Sequence, residues 1–314
     1  MRQVVLLVAA LAGVAGCGKG STPTAEAAAK KSPEPAVAAA SASAAPAVKP
    51  PAGPEPKLPE SILQGIKLDA DMRARFFALY DKLPSPCGKT QSLHAAVDSD
   101  PTCKRAPFAA RWLARVLVDS GLNDENMLAI YGQHYSGAPP QAFDLAGAAH
   151  TGDAKTAKVA FVEFFDYACS HCKMHEPIVA ELVKKYGNDL VVYYMNFPLG
   201  HWPTSEAAAR AAVAADRQGK FAAFHHALFE SQEHQAEADV RKVAQAVGLD
   251  MKKFEADWKD PAVAALVKAQ HDQGLKVHLE STPTIFINGR EYMGAPDPTW
   301  LAEAIDEELA AVSK

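Results

Sequence analysis

FFDYACSHCKMHEP, residues 164–177, places Cys169 and Cys172 two residues apart with Ser170 and His171 between them. Such a pair can supply half a zinc site, close a loop as an inert disulfide, or carry electrons. The surroundings discriminate. The preceding run KVAFVEFFDY (158–167) is β-branched and aromatic, as expected of a central strand. From Cys169 to Tyr186 the apolar residues Ile178, Leu182 and Val183 fall on one helical face. The pair therefore stands where a strand gives way to a helix. A cysteine there faces the unpaired N–H groups and the positive end of the helix dipole, which favour thiolate over thiol. The pKa of Cys169 is expected below the free value of ~8.5, and Cys172, one turn inward, is expected to be the less exposed thiol.

Working outward, DLVVYYMNF (189–197) reads as a second strand. Residues 204–277 are Ala-rich with helical periodicity. TPTIFI (282–287), Asn288-Gly289 and REYMGA form the strongest short hairpin signal available, and TWLAEAIDEELAAV closes with a helix. That order implies a mixed sheet covered by helices. Residues 60–137 read as a small helical region. DADMRARFFALYDKL carries Asp69 or Asp71 as N-cap, and RAPFAARWLARVLVDSG and NDENMLAIYGQHY supply further helices.

The combination of EFFDYACSHCKMHEP with STPTIFING far downstream resembles the DsbA-like thiol–disulfide oxidoreductases of the thioredoxin superfamily. The resemblance covers about residues 138–314. It implies an α/β thioredoxin-like fold, with a mixed central sheet, helices on both faces and a helical insertion at about 204–277. It also implies roles: Cys169 as nucleophile, Cys172 as the resolving thiol, and a cis bond before Pro283 lying against both. A cis X-Pro bond costs only ~0.5–1 kcal/mol over trans, so a fold can enforce it. The backbone of Thr282 would then be free to pair with an extended substrate.

His171 can stabilise the Cys169 thiolate by charge or hydrogen bond, which makes the disulfide more oxidising. Metal ligation or simple exposure is the alternative for this histidine. Ser170 and Thr282 depart from the strongest oxidants of the family and lean towards isomerase or reductase chemistry. Glu163 lies on the strand face of Phe161 and Phe165, so burial and proton exchange with the resolving cysteine are expected; a half-exposed strand carboxylate is the bland alternative.

The flanks place the chain in the cell. MRQVVLLVAALAGVAGCGKG has one early basic residue, Arg2, and an apolar run too short for a comfortable membrane span. It ends Val14-Ala15-Gly16-Cys17, which resembles a bacterial lipobox. Residues 1–16 are then a signal peptide and Cys17 the lipidated residue; an ordinary signal peptide with an incidental cysteine is the alternative. Residues 17–59 are nearly all Ala, Pro, Ser, Lys, Glu and Gly, without aromatics, as in a tether. At ~3.1 Å per residue, about 40 residues reach on the order of 100 Å.

Both readings export the chain to a compartment where disulfides persist. Of five cysteines, lipidation of Cys17 leaves two pairs. Cys87 and Cys103 are too widely spaced for a zinc knuckle and are expected as a structural disulfide, with a second redox pair as the sharper alternative. His171 and His175 could add ligands to a weak metal site, but no metal or cofactor is expected. Lys plus Arg number 32 against 37 Asp plus Glu, a formal charge of −5 with no basic run, which argues against a nucleic-acid partner. The expected partners are cysteine-containing exported proteins, a membrane reached through the lipid, and a membrane redox protein that recharges the couple. A non-catalytic metal- or peptide-binding module is the competing class.

Overall fold

The computed structural model describes residues 58–136 and 139–313. The signal segment, Cys17 and the tether up to residue 57 lie outside the described residues.

The helical region contains α1 (Glu60–Leu63), α2 (Ala70–Lys82), α3 (Leu93–Ser99), α4 (Ala106–Asp119) and α5 (Asp124–Ser136). Asp69 is the N-cap of α2, its carboxylate accepting from the Met72 N–H. Helix α3, unexpected from the sequence, is capped the same way by Ser92, whose hydroxyl accepts from the Ala95 N–H. Phe76, Tyr80, Leu113 and Tyr131 are fully buried in a core that the region forms for itself.

The second half is built on β1 (Ala149–Thr151), β2 (Val159–Phe165), β3 (Leu190–Asn196), β4 (Thr284–Ile287) and β5 (Arg290–Glu291), in spatial order β1-β3-β2-β4-β5. Strands β2 and β3 are parallel, and the other neighbouring pairs are antiparallel. The parallel pair is joined by α6 (Ser170–Tyr186). Helices α7 (Ser205–Asp216), α8 (Phe221–Glu230), α9 (Glu237–Ala246), α10 (Met251–Trp258) and α11 (Pro261–Lys276) fill the insertion between β3 and β4, and α12 (Pro298–Val312) ends the chain.

Alternation along β2 divides the interior into two layers. Phe161 and Phe165 join Cys169, Cys172 and the faces of α6, α8 and α12. Val162 and Phe164 join Met195, Phe197 and Phe286 on the opposite face. Gly274 lets α11 approach that second face, because a Cβ there would lie 2.6 Å from the Phe197 ring. This is the mixed sheet with helices on both faces that the sequence implied. The hairpin also forms where Asn288-Gly289 predicts it: both residues have positive φ, 47° and 78°, between paired Ile287 and Arg290. β1 was not anticipated, since three residues, Ala-His-Thr, carry too little period to read.

The helical region docks on α12. Trp300 packs against its core. Arg105 pairs with Glu307 at 3.0 Å and Glu308 at 2.7 Å, while Arg111 and Arg115 reach Glu303 at 2.8 and 2.6 Å. Burial pushes the Glu307 carboxyl up to about 7 in spite of the Arg105 guanidinium beside it.

Candidate active site

The site forms where β2 runs out. Asp166 follows the strand, and its buried carboxylate accepts from the Ala168 N–H at 2.9 Å, the Leu199 N–H at 2.7 Å and the Ser205 hydroxyl at 2.8 Å. This ties the turn to the segment after β3 and to the start of α7. From the insertion, Gln232 donates to the carbonyls of Tyr167 and Cys169 at 2.8 and 2.9 Å, and Gln235 donates to Tyr167 at 2.9 Å. The loop is thus held from both sides, and Cys169 becomes the N-cap of α6 with extended backbone (φ −81°, ψ 119°).

Cys169 and Cys172 are free thiols, 4% and 1% exposed. The Cys169 thiol is pulled down to about 4. The largest cause is a hydrogen bond from the Cys172 thiol; Thr282 and the backbone N–H groups of Cys172 and His171 add to it, and burial opposes it. The Cys172 thiol is pushed far above the usual thiol range, first by burial, then by donating to Cys169, then by the charge of Glu163. The two sulfurs are therefore driven apart in acidity while staying within hydrogen-bonding reach.

Across from them the Thr282–Pro283 bond is cis. The Cys169 Sγ–H donates to the Thr282 carbonyl at 3.2 Å. An ionised sulfur cannot keep that bond. The Thr282 hydroxyl, buried and without another partner among the described residues, is a donor on the same residue that can replace it. Beside this pair opens a cavity of about 540 Å³, lined by His171, Met174, Pro283, Ile285 and Tyr292 among others. Met174 projects from α6 with 60% exposure, an apolar rim to the opening.

Glu163 is 4% exposed and its Oε1 lies 2.9 Å from Nδ1 of His175. The His171 side chain is exposed, and what reaches the Cys169 sulfur is the backbone N–H of His171. Thus Cys169, Cys172, Thr282 and Pro283 meet, with Glu163 behind them and the ring of His171 at the cavity wall. Cys87 and Cys103 lie elsewhere, in the helical region, joined by a bond of 2.01 Å. Among the described residues no cluster of three or more His, Cys, Asp or Glu side chains is placed to hold a metal ion. Sequence reasoning passed over Asp166, Gln232 and Gln235. A clue was present only for Asp166, a turn-forming residue between a strand end and the first cysteine.

A strand running into a helix-capping cysteine, opposite a cis-proline loop on a mixed sheet, is matched by the sequence model of the thioredoxin family over residues 146–307. The chain belongs to the thioredoxin family. Among solved structures, a thioredoxin-like oxidoreductase from Silicibacter pomeroyi DSS-3 is 31% identical to this chain, covering 53% of it and 94% of that one, with a TM-score of 0.49. Oxidised BdbD from Bacillus subtilis is 23% identical over 55% of this chain and 98% of its own, also with a TM-score of 0.49. The protein named Na(+)/H(+) antiporter NhaA 1 of Mycobacterium sp. (strain KMS) is 35% identical over 153 residues, 48% of this chain and 25% of that protein. The chain spans about a quarter of the length of the curated relatives it matches. No helix among the described residues is long and apolar enough to cross a membrane.

Proposed function

We propose that the chain is an exported thiol–disulfide oxidoreductase that acts on cysteines of exported proteins, predominantly in the disulfide-forming direction. The observation that carries this reading is the Cys169 sulfur at the N-cap of α6, set against the cis Thr282–Pro283 loop beside a cavity, with its acidity favoured and that of the buried Cys172 thiol suppressed. In the forming direction a substrate thiolate attacks Cys169 of the Cys169–Cys172 disulfide. Cys172 leaves as thiolate and takes a proton, and a second substrate thiolate then displaces Cys169 from the mixed disulfide. A stabilised Cys169 thiolate is a good leaving group and favours the reduced enzyme, so its disulfide is oxidising. Ser170 and Thr282 are the residues that would temper this towards isomerisation or reduction. The cis-proline loop supports pairing with an extended substrate segment, and the apolar rim around Met174 and Ile285 supports an unfolded or loosely folded client. Cys17 would carry the lipid and residues 17–59 the tether, with an integral membrane redox protein restoring the disulfide.

Alkylation of Cys169 in the full chain, followed from pH 3 to 10, tests the reading. The rate is expected to rise through about pH 4 and to be flat through neutrality. A single rise near the free-thiol value of ~8.5 would remove the basis of the proposal. The same group fixes a stability trend in the dithiol form. Its folded pKa is depressed, so between about 4 and ~8.5 the unfolded chain binds the extra proton and stability rises with pH. The contribution is fully present above the unfolded value and lost as pH falls through the folded one. A redox potential nearer about −120 mV than about −270 mV separates oxidant from reductant.

A further inference from the structure

Behind Cys172 lies a buried pair whose second member the exchange steps above leave unused. Helix α6 buries Cys172, His175, Val179 and Leu182 along one stripe, which sets His175 one turn deeper than Cys172 on the same face. His175 is 2% exposed, and its ring stacks on Phe161 of β2 with centroids 6.5 Å apart. Its Nδ1 faces Oε1 of the equally buried Glu163 at 2.9 Å. An ionised carboxylate only accepts, so the imidazole donates from Nδ1, and that bond selects the tautomer in which Nε2 is the bare nitrogen. Nε2 is buried and has no hydrogen-bond partner among the described residues. Keeping a buried acceptor open is costly, and a stacked hydrophobic ring would have filled the same space without the cost. The ring also lines the cavity beside the cysteines, together with Pro283 and Tyr292.

Cys172 has the complementary problem. At 1% exposure its thiol is shut off from solvent, yet it must lose its proton to attack and regain one to leave. We propose that His175, oriented by Glu163, relays the proton of Cys172 to and from the cavity. This rests on the oxidoreductase reading.

Starting from the dithiol, the Cys169 thiolate attacks a substrate disulfide and forms a mixed disulfide, and one substrate sulfur leaves as thiolate. The Cys172 thiol passes its proton to Nε2 through an intervening water, since no sulfur lies within hydrogen-bonding distance of that nitrogen, and its thiolate attacks Sγ of Cys169. The Cys169–substrate bond breaks, the Cys169–Cys172 bond forms, and the second substrate sulfur leaves with the electron pair. The imidazolium, steadied by the Glu163 carboxylate, gives its proton to that sulfur or to water in the cavity. The substrate disulfide has been reduced by two electrons and the dithiol oxidised. In the disulfide-forming direction every step runs backwards, and His175 protonates Cys172 as it leaves.

Several other groups face this pair. Cys169 caps α6 and His171 lies in its first turn, and Glu291 of β5 and Tyr292 just after it share the cavity wall. Thr282 stands across the cysteines, and the hydroxyls of Tyr167 and Tyr194 feel the charge of Glu163. Glu176, next along α6, is engaged by His226 of α8 at 3.2 Å.

Reduced full chain mixed with an aromatic disulfide such as dithiobis(nitrobenzoate) releases one coloured thiolate when Cys169 attacks and a second when Cys172 resolves. In His175→Phe, the first phase is expected to stay within about twofold and the second to slow by about a hundredfold at pH 7, regaining rate as hydroxide rises. Glu163→Gln is expected to slow the same phase, and the double variant to be no slower than His175→Phe, since the two act as one unit. Should His175→Phe fail to fold, nitrogen NMR of the histidines in the native chain still decides, because His175 must carry its hydrogen on Nδ1. An unchanged second phase, additive losses, or a hydrogen on Nε2 overturns the relay. Absence of any second release from the native chain strikes instead at the oxidoreductase reading, and so the two failures are told apart.

Discussion

Cys87 and Cys103 stand sixteen residues apart in the helical region and are bonded, whereas Cys169 and Cys172 stand one helical turn apart at the start of α6 and are both free. Burial does not separate the two pairs: Cys103 is 3% exposed and Cys169 is 4%. Nor does nearness to a helix start, since Cys103 lies just before α4, which begins at Ala106. What separates them is which atoms face the sulfur. Cys169 is itself the capping residue, so the first amides of α6 and a neighbouring thiol converge on it. Cys103 lies two residues before the N-cap Arg105, where the Ser85 hydroxyl at 3.7 Å is its hydrogen-bonding neighbour. The same element is a closed disulfide in one half of the molecule and, under the proposed function, a charged reagent in the other, and a shift of a few residues relative to a helix separates the two settings.

The most direct way to break that contrast is to remove one sulfur from each pair. Cys169→Ala is expected to cut disulfide exchange by at least about a thousandfold while leaving the melting temperature nearly unchanged. Replacing Cys87 and Cys103 together by Ala is expected to do the reverse. Exchange should stay within about twofold in an insulin-reduction assay, since no residue lining the cavity beside His171 and Thr282 is touched. Comparable loss of exchange from both would make the second pair part of the electron path, and the contrast drawn here would be mistaken.

The staple has a size of its own. Closing the loop between Cys87 and Cys103 is expected to stabilise the chain by roughly 3 kcal/mol, read from urea unfolding of the double alanine variant against the native chain. If the loss appears as a separate early transition, the helical region unfolds alone. If it moves one shared transition, the region and the thioredoxin body stand or fall together through α12.

How much of this was readable depended on the range of the interaction. β2, α6, β3 and the hairpin were legible because each is announced within a dozen residues: alternation in VAFVEFF, the face of Ile178, Leu182 and Val183, and Asn288-Gly289 with its positive φ. The capping cysteine and the proline facing it followed from local chemistry and from resemblance. The polar supports were not legible. Asp166 gains its meaning from Leu199 and Ser205, Cys169 is tethered by Gln232 sixty-three residues on, and Glu163 meets His175 across a strand and a helix. His175 read as a loose ligand candidate although it shares the helical spacing of Ile178 and Leu182, because nothing in the sequence shows that Glu163 of β2 lies opposite that face. The docking of the helical region was hidden for the same reason. Glu303, Glu307 and Glu308 look like a solvated helix face until Arg105, Arg111 and Arg115 arrive from some two hundred residues earlier.

That seam supplies the finest test of whether the two regions are coupled. Glu307 is buried between Arg105 and the Tyr135 hydroxyl, which donates to it at 3.4 Å, and burial holds its carboxyl up at about 7. An unfolded glutamate titrates near ~4.3, so between the two values the folded chain keeps a proton that the unfolded chain has lost. The contribution of that proton is fully present below the unfolded pKa and lost as pH rises through the folded one. Glu307→Gln keeps the acceptor for Tyr135 and removes the titration. At pH 8 the variant is expected to match or exceed the native chain, by on the order of 1 kcal/mol in urea unfolding, and at pH 5 to show no gain. A loss of stability that is equal at both pH values would mean that the Glu307 charge is needed by Arg105 throughout. The seam would then be an ion-paired joint, and the helical region would be held to the thioredoxin body by charge rather than by the packing of Trp300 and Tyr135.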